Sequence, residues 1–202
     1  MAIHAPAVTT LLFDIHGVFF LDSEERFAEI AADARVTSDE LRDALYRNGI
    51  WEDYKRGRCS EAEYWQSVCG HLPAASPAAP DWLRRRMDGT IDVDRALAAF
   101  VATLRPRFRV AALSNAGAEL ERRLKQHGIL GIFECIMNSH RLGMAKPEEQ
   151  VYAHAANRLV VDPREVLFID DKERNTAVAA GMGFQTHVYA DLTQFADAAR
   201  RL

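Results

Sequence analysis

Asp14 closes a short apolar run, Thr10-Leu11-Leu12-Phe13, and is followed by Ile15-His16-Gly17-Val18. A buried strand that ends in a carboxylate and then in a small loop with glycine puts an acid at the carboxyl edge of a sheet. In open α/β sheets ligands bind at that edge. An Asp after a strand also suits a turn or a helix cap, so this feature alone decides little. A second apolar run, Val166-Leu167-Phe168-Ile169, ends in Asp170 and Asp171. Laid side by side, the two strands gather three carboxylates, and that much negative charge calls for a cation.

Two further run ends carry polar groups. Ala111-Ala112-Leu113 runs into Ser114-Asn115, and Lys146-Pro147 stands at the start of a helical pattern; Asn175 follows Asp170 by about one helical turn. Each has a plainer reading. Ser114 and Asn115 suit the cap of the next helix, Lys146 suits a surface beside a Pro-started helix, and Asp171 suits the N-cap of the helix that follows it.

The elements that must position these groups are legible in outline. Strand-like runs at 9–14, 109–114, 134–138, 166–170 and 185–189 alternate with helical patterns at 92–104, 117–128, 147–159 and 172–181. Such alternation predicts a Rossmann-like parallel sheet with helices on both faces. The strands lack a period of two, as expected when both of their faces are buried. Gly128 and Gly181 stand where helices should end. From Asp22 to about Gly89 the patterns are helical, at 23–34, 38–48, 61–69 and 82–87, with no convincing strand. Ser60 and Glu63 have the spacing of a capping box, and the Pro-rich stretch 73–80 reads as a connector. The expected division is an α/β core of residues 1–20 and 90–202, with residues 21–89 inserted as a helical cap over the carboxyl edge.

Bulk properties narrow the partners. The chain has 202 residues, 49% of them hydrophobic, and a formal net charge of −4. Neither nucleic acid nor an anionic membrane is expected as a partner. Arg84-Arg85-Arg86 reads as the solvated face of a helix. No apolar stretch is long enough to span a bilayer, and residues 1–10 do not have the pattern of a secretory signal. Cys59, Cys69 and Cys135 lack metal-ligand spacing, so free thiols and a cytoplasmic location are expected.

Taken in order, Asp14, Ser114-Asn115, Lys146 and Asp170-Asp171 make the chain resemble the haloacid dehalogenase-like hydrolase superfamily, in its helical-cap phosphatase-like subgroup. The resemblance covers the whole chain. It implies that Asp14 attacks phosphorus to form an aspartyl-phosphate, and that Lys146, Ser114 and the Asn115 amide bind the phosphoryl group. It also implies Mg²⁺ on Asp14, the His16 carbonyl, Asp170 and Asp171, with a small phosphorylated metabolite as substrate and a monomer or homodimer as the assembly.

One position departs from the pattern. Phosphatases of this superfamily carry a second Asp two residues after the nucleophile, where this chain has His16. Three readings stay open: an imidazole acid/base, a spacer whose carbonyl alone matters, or a mark of lowered activity. The departure also admits a metal-independent 2-haloacid dehalogenase or a catalytically silent binding protein. In the cap, Trp51, Tyr54, Tyr64 and Trp65 flank Lys55-Arg56-Gly57-Arg58. Tyr64 and Trp65 are expected to pack the hairpin, Arg56 and Arg58 to be solvated, and Trp51 or Arg58 to reach the site. His4, His71, His127, His140, His154 and His187 lack paired metal spacing.

Overall fold

In a computed structural model, which describes residues 7–202, the apolar runs assemble into a five-stranded parallel sheet. Its strands are β1 (Thr10–Phe13), β4 (Arg109–Ser114), β5 (Cys135–Asn138), β6 (Val166–Asp170) and β7 (Gln185–Val188), in the order β5-β4-β1-β6-β7. His4 lies outside the described residues. The strands leave β1 in opposite directions across the sheet, so the crevice at its carboxyl end is a topological switch point.

Alternate residues of the same strands supply two separate cores. Leu11 and Phe13 of β1, Val110 and Ala112 of β4, and Leu167 and Ile169 of β6 pack one face. The helices covering that face are α6 (Arg95–Leu104), α7 (Leu120–Gln126) and α11 (Leu192–Ala199). Leu12, Ala111, Leu113, Val166 and Phe168 pack the other face against α9 (Glu149–Leu159) and α10 (Glu173–Gly181). Burial on both sides explains why the strands read as unbroken apolar runs.

Between β1 and α6 lie the helices α1 (Glu24–Asp33), α2 (Ser38–Arg42, running on as a π-helical turn over Asp43–Arg47), α3 (Ile50–Tyr54), α4 (Glu61–His71) and α5 (Pro80–Asp88). They share a third core centred on Leu41, Leu45, Tyr54, Tyr64, Val68 and Leu83. The Ser60–Glu63 capping box forms at the start of α4, and residues 73–79 are non-helical ahead of Pro80 at the first turn of α5.

Several local expectations are corrected. Two short strands, β2 (Phe20–Asp22) and β3 (Ile91–Val93), pair antiparallel on either side of the helical segment. At three residues each, they are too short for a period-two pattern to show. Helix α3 is likewise only five residues long. The left-handed turn after α10 falls on Gly183 (φ 93°), not on Gly181, which is the helix's last residue.

Val160, at the C-cap of α9, adopts φ 54° and ψ 54° with 87% of its surface exposed. A β-branched residue in the left-handed region is strained, and here almost no packing compensates. Val160→Gly should relieve roughly 1–2 kcal/mol of strain against roughly 0.5–1 kcal/mol of added chain entropy. A small rise in the midpoint of chemical denaturation is the expected result.

Candidate active site

The sheet register brings the first functional groups together. Phe13 lies opposite Ala112 of β4 and Ile169 of β6, so the next residues along the three strands converge on one edge. Asp14 and Asp170 emerge at the same level, the Asp14 N–H donating to the Ile169 carbonyl at 2.8 Å. Ser114 ends β4 beside them, and its hydroxyl donates to Asp14 Oδ1 at 3.0 Å. The second donor to that oxygen is the Ile15 N–H, at 2.6 Å.

Lys146 joins the two acids. Its Nζ lies 2.8 Å from Asp14 Oδ2 and 2.6 Å from Asp170 Oδ2, and the residue is 2% exposed. Asn115 positions this lysine. Its side-chain amide donates to the Lys146 carbonyl and its Oδ1 accepts the Lys146 N–H, both at 2.8 Å. Ser114 and Asn115 therefore do not cap the next helix, which begins only at Leu120, and Lys146 is not a surface lysine.

Asp170 Oδ1 accepts from the Lys172 N–H at 2.8 Å and from Asn175 Nδ2 at 2.9 Å. Burial and the nearby Asp14 raise its pKa, against Lys146, which lowers it. Asp171 is likewise pushed up by burial, with Lys172 opposing. The N-cap position of α10 belongs to Lys172, without a side-chain cap, rather than to Asp171.

Carboxylate oxygens of Asp14, Asp170 and Asp171 lie within 4.8 Å of one another. Asp171 Oδ1 and Asn175 Oδ1 are buried without a hydrogen-bond partner. Such a set of hard oxygen donors, with acceptor capacity left over, fits a small divalent cation such as Mg²⁺. Gly17 permits the arrangement: its φ is 82°, and a Cβ there would run into the Asp171 carboxylate.

His16 lies on the other side of that glycine turn. The turn folds back on itself, with the Phe19 and Phe20 N–H groups donating to the Ile15 carbonyl at 2.8 and 2.9 Å. The imidazole packs edge-on against Phe20, and its Nδ1 is buried without a partner. Burial first, then the positive charge of Arg123, lower its pKa to about 4. The resting side chain is a neutral imidazole.

Sequence reasoning missed the contacts that hold the helical segment over this edge. The Tyr54 hydroxyl donates to Glu119 at 2.7 Å and accepts the Ala118 N–H at 3.2 Å. Its ring lies so close to Gly117 that a Cβ there would overlap it. Arg123 bridges Asp88 of α5 (2.6 Å) and Glu119 (3.4 Å). The spacing of Glu119 and Arg123, four apart at the head of a helical run, was the one available signal. Arg56 is not solvated: it pairs with Glu52 at 2.5 Å and with Glu148, two residues after Lys146. Arg58 is exposed and nearest Asp53 at 3.5 Å. Trp51, together with His16 and Asn115, lines the cavity between the helical segment and the sheet edge, whereas Arg58 does not.

Residues 8–183 match the family described as haloacid dehalogenase-like hydrolase. The chain belongs to that family of hydrolases. It is 24% identical over 176 residues to a sesquiterpene phosphatase of Aspergillus oryzae, covering 85% of each chain. It is 22% identical over 191 residues to a D-ribitol-5-phosphate phosphatase of Bacteroides thetaiotaomicron, covering 89% of this chain and 90% of the other. A crystal structure of a haloacid dehalogenase family enzyme from B. thetaiotaomicron, in complex with magnesium and inorganic phosphate, superposes with a TM-score of 0.80 at 20% identity. That match covers 94% of this chain and 99% of the other. No helix among the described residues is long and apolar enough to cross a membrane.

Removing Lys146 leaves two buried carboxylates facing each other. Lys146→Met should lower unfolding stability by roughly 3–5 kcal/mol in metal-free buffer at neutral pH. Added Mg²⁺ should restore more of the melting temperature in this variant than in the wild type, read by thermal denaturation. Equal shifts in both proteins would mean that the carboxylates do not share a cation.

Proposed function

We propose that the chain is a Mg²⁺-dependent phosphatase that hydrolyses a phosphomonoester through an aspartyl-phosphate on Asp14. The observation that carries this reading is the convergence of Asp14, Asp170 and Asp171, the first two sharing one buried ammonium, with acceptor oxygens still unpartnered. A phosphomonoester is dianionic, so a carboxylate approaches it only where positive charge is fixed nearby. Lys146 supplies one such charge. Mg²⁺, held by Asp14, the His16 carbonyl, Asp170 and Asp171, would supply the remaining compensation when bound.

In the proposed first step a carboxylate oxygen of Asp14 forms a bond to phosphorus as the bond to the leaving oxygen breaks, and the departing alkoxide takes a proton from water. Lys146 and Ser114 keep the nucleophile oriented through the contacts they already make with it. The Asn115 backbone N–H and the Lys146 ammonium would donate to the transferred oxygens. In the second step water attacks phosphorus as the P–O bond to Asp14 breaks, so that phosphate leaves and the carboxylate is restored, and His16, neutral and two residues from Asp14, takes up the water's proton.

The two phosphatase relatives support a small phosphorylated partner, and the neighbouring structure with magnesium and phosphate supports the cofactor. The acid cluster weighs against a metal-independent dehalogenase, whose carboxylate substrate would meet three like charges.

The test is phosphate release from aryl, polyol and prenyl phosphates, with and without Mg²⁺. Release that requires the metal and vanishes in Asp14→Asn is the expected outcome. Halide release from 2-haloacids under chelation, without phosphate release, would instead establish the dehalogenase.

His16→Ala separates the open roles of that residue. Loss of proton transfer should slow turnover on the order of 10²-fold or more, with acid-quenched aspartyl-phosphate accumulating. An undiminished rate would confine His16 to its backbone carbonyl.

A further inference from the structure

Between the helical segment and the carboxylate edge lies a cavity of about 620 Å³. That is far more than a phosphoryl group needs, so the rest of a substrate has room there. Its lining is rich in cations: Arg47, Lys55, Arg123, Lys172 and Arg174 stand against the acids Asp22, Glu52 and Glu119. Most of these charges are already matched. Arg47 pairs with Asp43 at 2.7 Å, Lys55 with Glu52 at 2.6 Å, and Arg123 with Asp88 and Glu119. Among the described residues, Lys172 and Arg174 have no ion-pair partner. Asp22 feels the charge of Lys172 without bridging to it, and it offsets one of the two cations at most.

The fold gives these two cations no structural return. Lys172 is the N-cap residue of α10 and Arg174 lies in its first turn, where the helix dipole disfavours positive charge. The Lys172 N–H donates to Asp170 Oδ1 at 2.8 Å, so the side chain starts from the acid cluster itself. Its charge is felt at both His16 and Asp171.

The neutral polar groups that remain free in the lining are hydrogen-bond donors. The Trp65 indole nitrogen is buried without a partner, in a residue only 6% exposed, and a buried donor left unpaired is costly. The Trp51 indole nitrogen and the hydroxyl of Tyr46, whose rings meet edge-on at 5.7 Å, also make no hydrogen bond to another described residue. Free donors beside free cations call for a ligand rich in acceptor oxygens and carrying negative charge.

Resting on the phosphatase reading above, we propose that the leaving group carries a second anionic group, a carboxylate or a further phosphate, held by Lys172 and Arg174 while the reacting phosphoryl group sits at Asp14. A guanidinium offers either anion a two-pronged contact. Lys172 is only two residues beyond Asp170, so a short polar skeleton spans the two ends, with its oxygens toward the indole donors. Both cations are exposed, so the second anion keeps part of its water and loses little by desolvation.

The experiment compares kcat/KM with Mg²⁺ within matched pairs: phosphoglycerate against glycerol phosphate, and fructose bisphosphate against fructose monophosphate. Nitrophenyl phosphate, which has no second anion, reports the phosphatase by itself. The anionic member of a pair should lead by about tenfold or more, the worth of one charge-assisted hydrogen bond, and the pair that shows the lead identifies the anion. The lead should fade as ionic strength rises. The double variant Lys172→Met, Arg174→Gln should erase most of it by raising KM for the anionic ester, whereas Lys172→Arg with Arg174→Lys should keep it. Neutral esters turned over as well as anionic ones, or a lead that survives the double variant, would overturn the assignment while leaving the phosphatase intact. Should no ester, nitrophenyl phosphate included, release phosphate, the phosphatase reading fails on its own. Binding, read by tryptophan fluorescence, then decides the cavity. An anionic ester that binds more tightly than its neutral partner, and loses that margin in the double variant, supports the cationic site; equal binding, or none, overturns it.

Discussion

The site is organised around one buried ammonium shared by two carboxylates. Asp14 and Asp170 emerge from adjacent parallel strands at the same level, and nothing in sheet geometry keeps their charges apart. At a few ångströms' separation such repulsion amounts to about 4 kcal/mol in a protein-like dielectric. Lys146, in contact with both, turns repulsion into attraction. The arrangement depends in turn on Asn115, which grips the lysine's backbone at both polar atoms. The loop after β4 thus sets the position of a residue 31 places further along the chain.

The same loops that build the floor also anchor the roof. Gly117 and Ala118, just beyond Asn115, receive Tyr54, and Glu148, just beyond Lys146, receives Arg56. Moving the helical segment therefore strains the segments that position Lys146. The β2–β3 ribbon fastens the two chain crossings between core and helices side by side. The cavity's dimensions follow from these few contacts.

The core was readable because both of its regularities are local. Buried strands are continuous apolar runs, and β4 and β6 begin and end where the runs do, at Arg109–Ser114 and Val166–Asp170. Asp14, Asp170 and Asp171 were readable because each follows such a run, and Lys146 because it stands just ahead of a Pro-started helical pattern, although the helix itself begins only at Glu149. What escaped was short or long-range. Three-residue strands carry no period, and a five-residue helix such as α3 has barely more than one turn. Gly183 in place of Gly181 reflects the usual uncertainty of helix ends. The Arg56–Glu148 pair spans 92 residues, so nothing in its neighbourhood distinguishes it from a solvated arginine. The switch of Asn115 from helix cap to lysine clamp likewise needs the fold to bring the two loops together.

His16 acquires a physical rationale from its surroundings. Three carboxylates and one ammonium leave the floor with a net negative charge before any cation binds. A fourth carboxylate at position 16 would add to it at the boundary with an aromatic cavity, where desolvation of an anion is most costly. The imidazole is neutral there, because burial and Arg123 keep it so. It also packs edge-on against Phe20 as an aromatic ring does. Position 16 thus belongs to both halves of the site: its backbone follows the acid loop, and its side chain lines the cavity with Trp51 and Asn115. A neutral ring there adds no charge to the acid cluster and leaves its buried Nδ1 without a partner, two residues from Asp14.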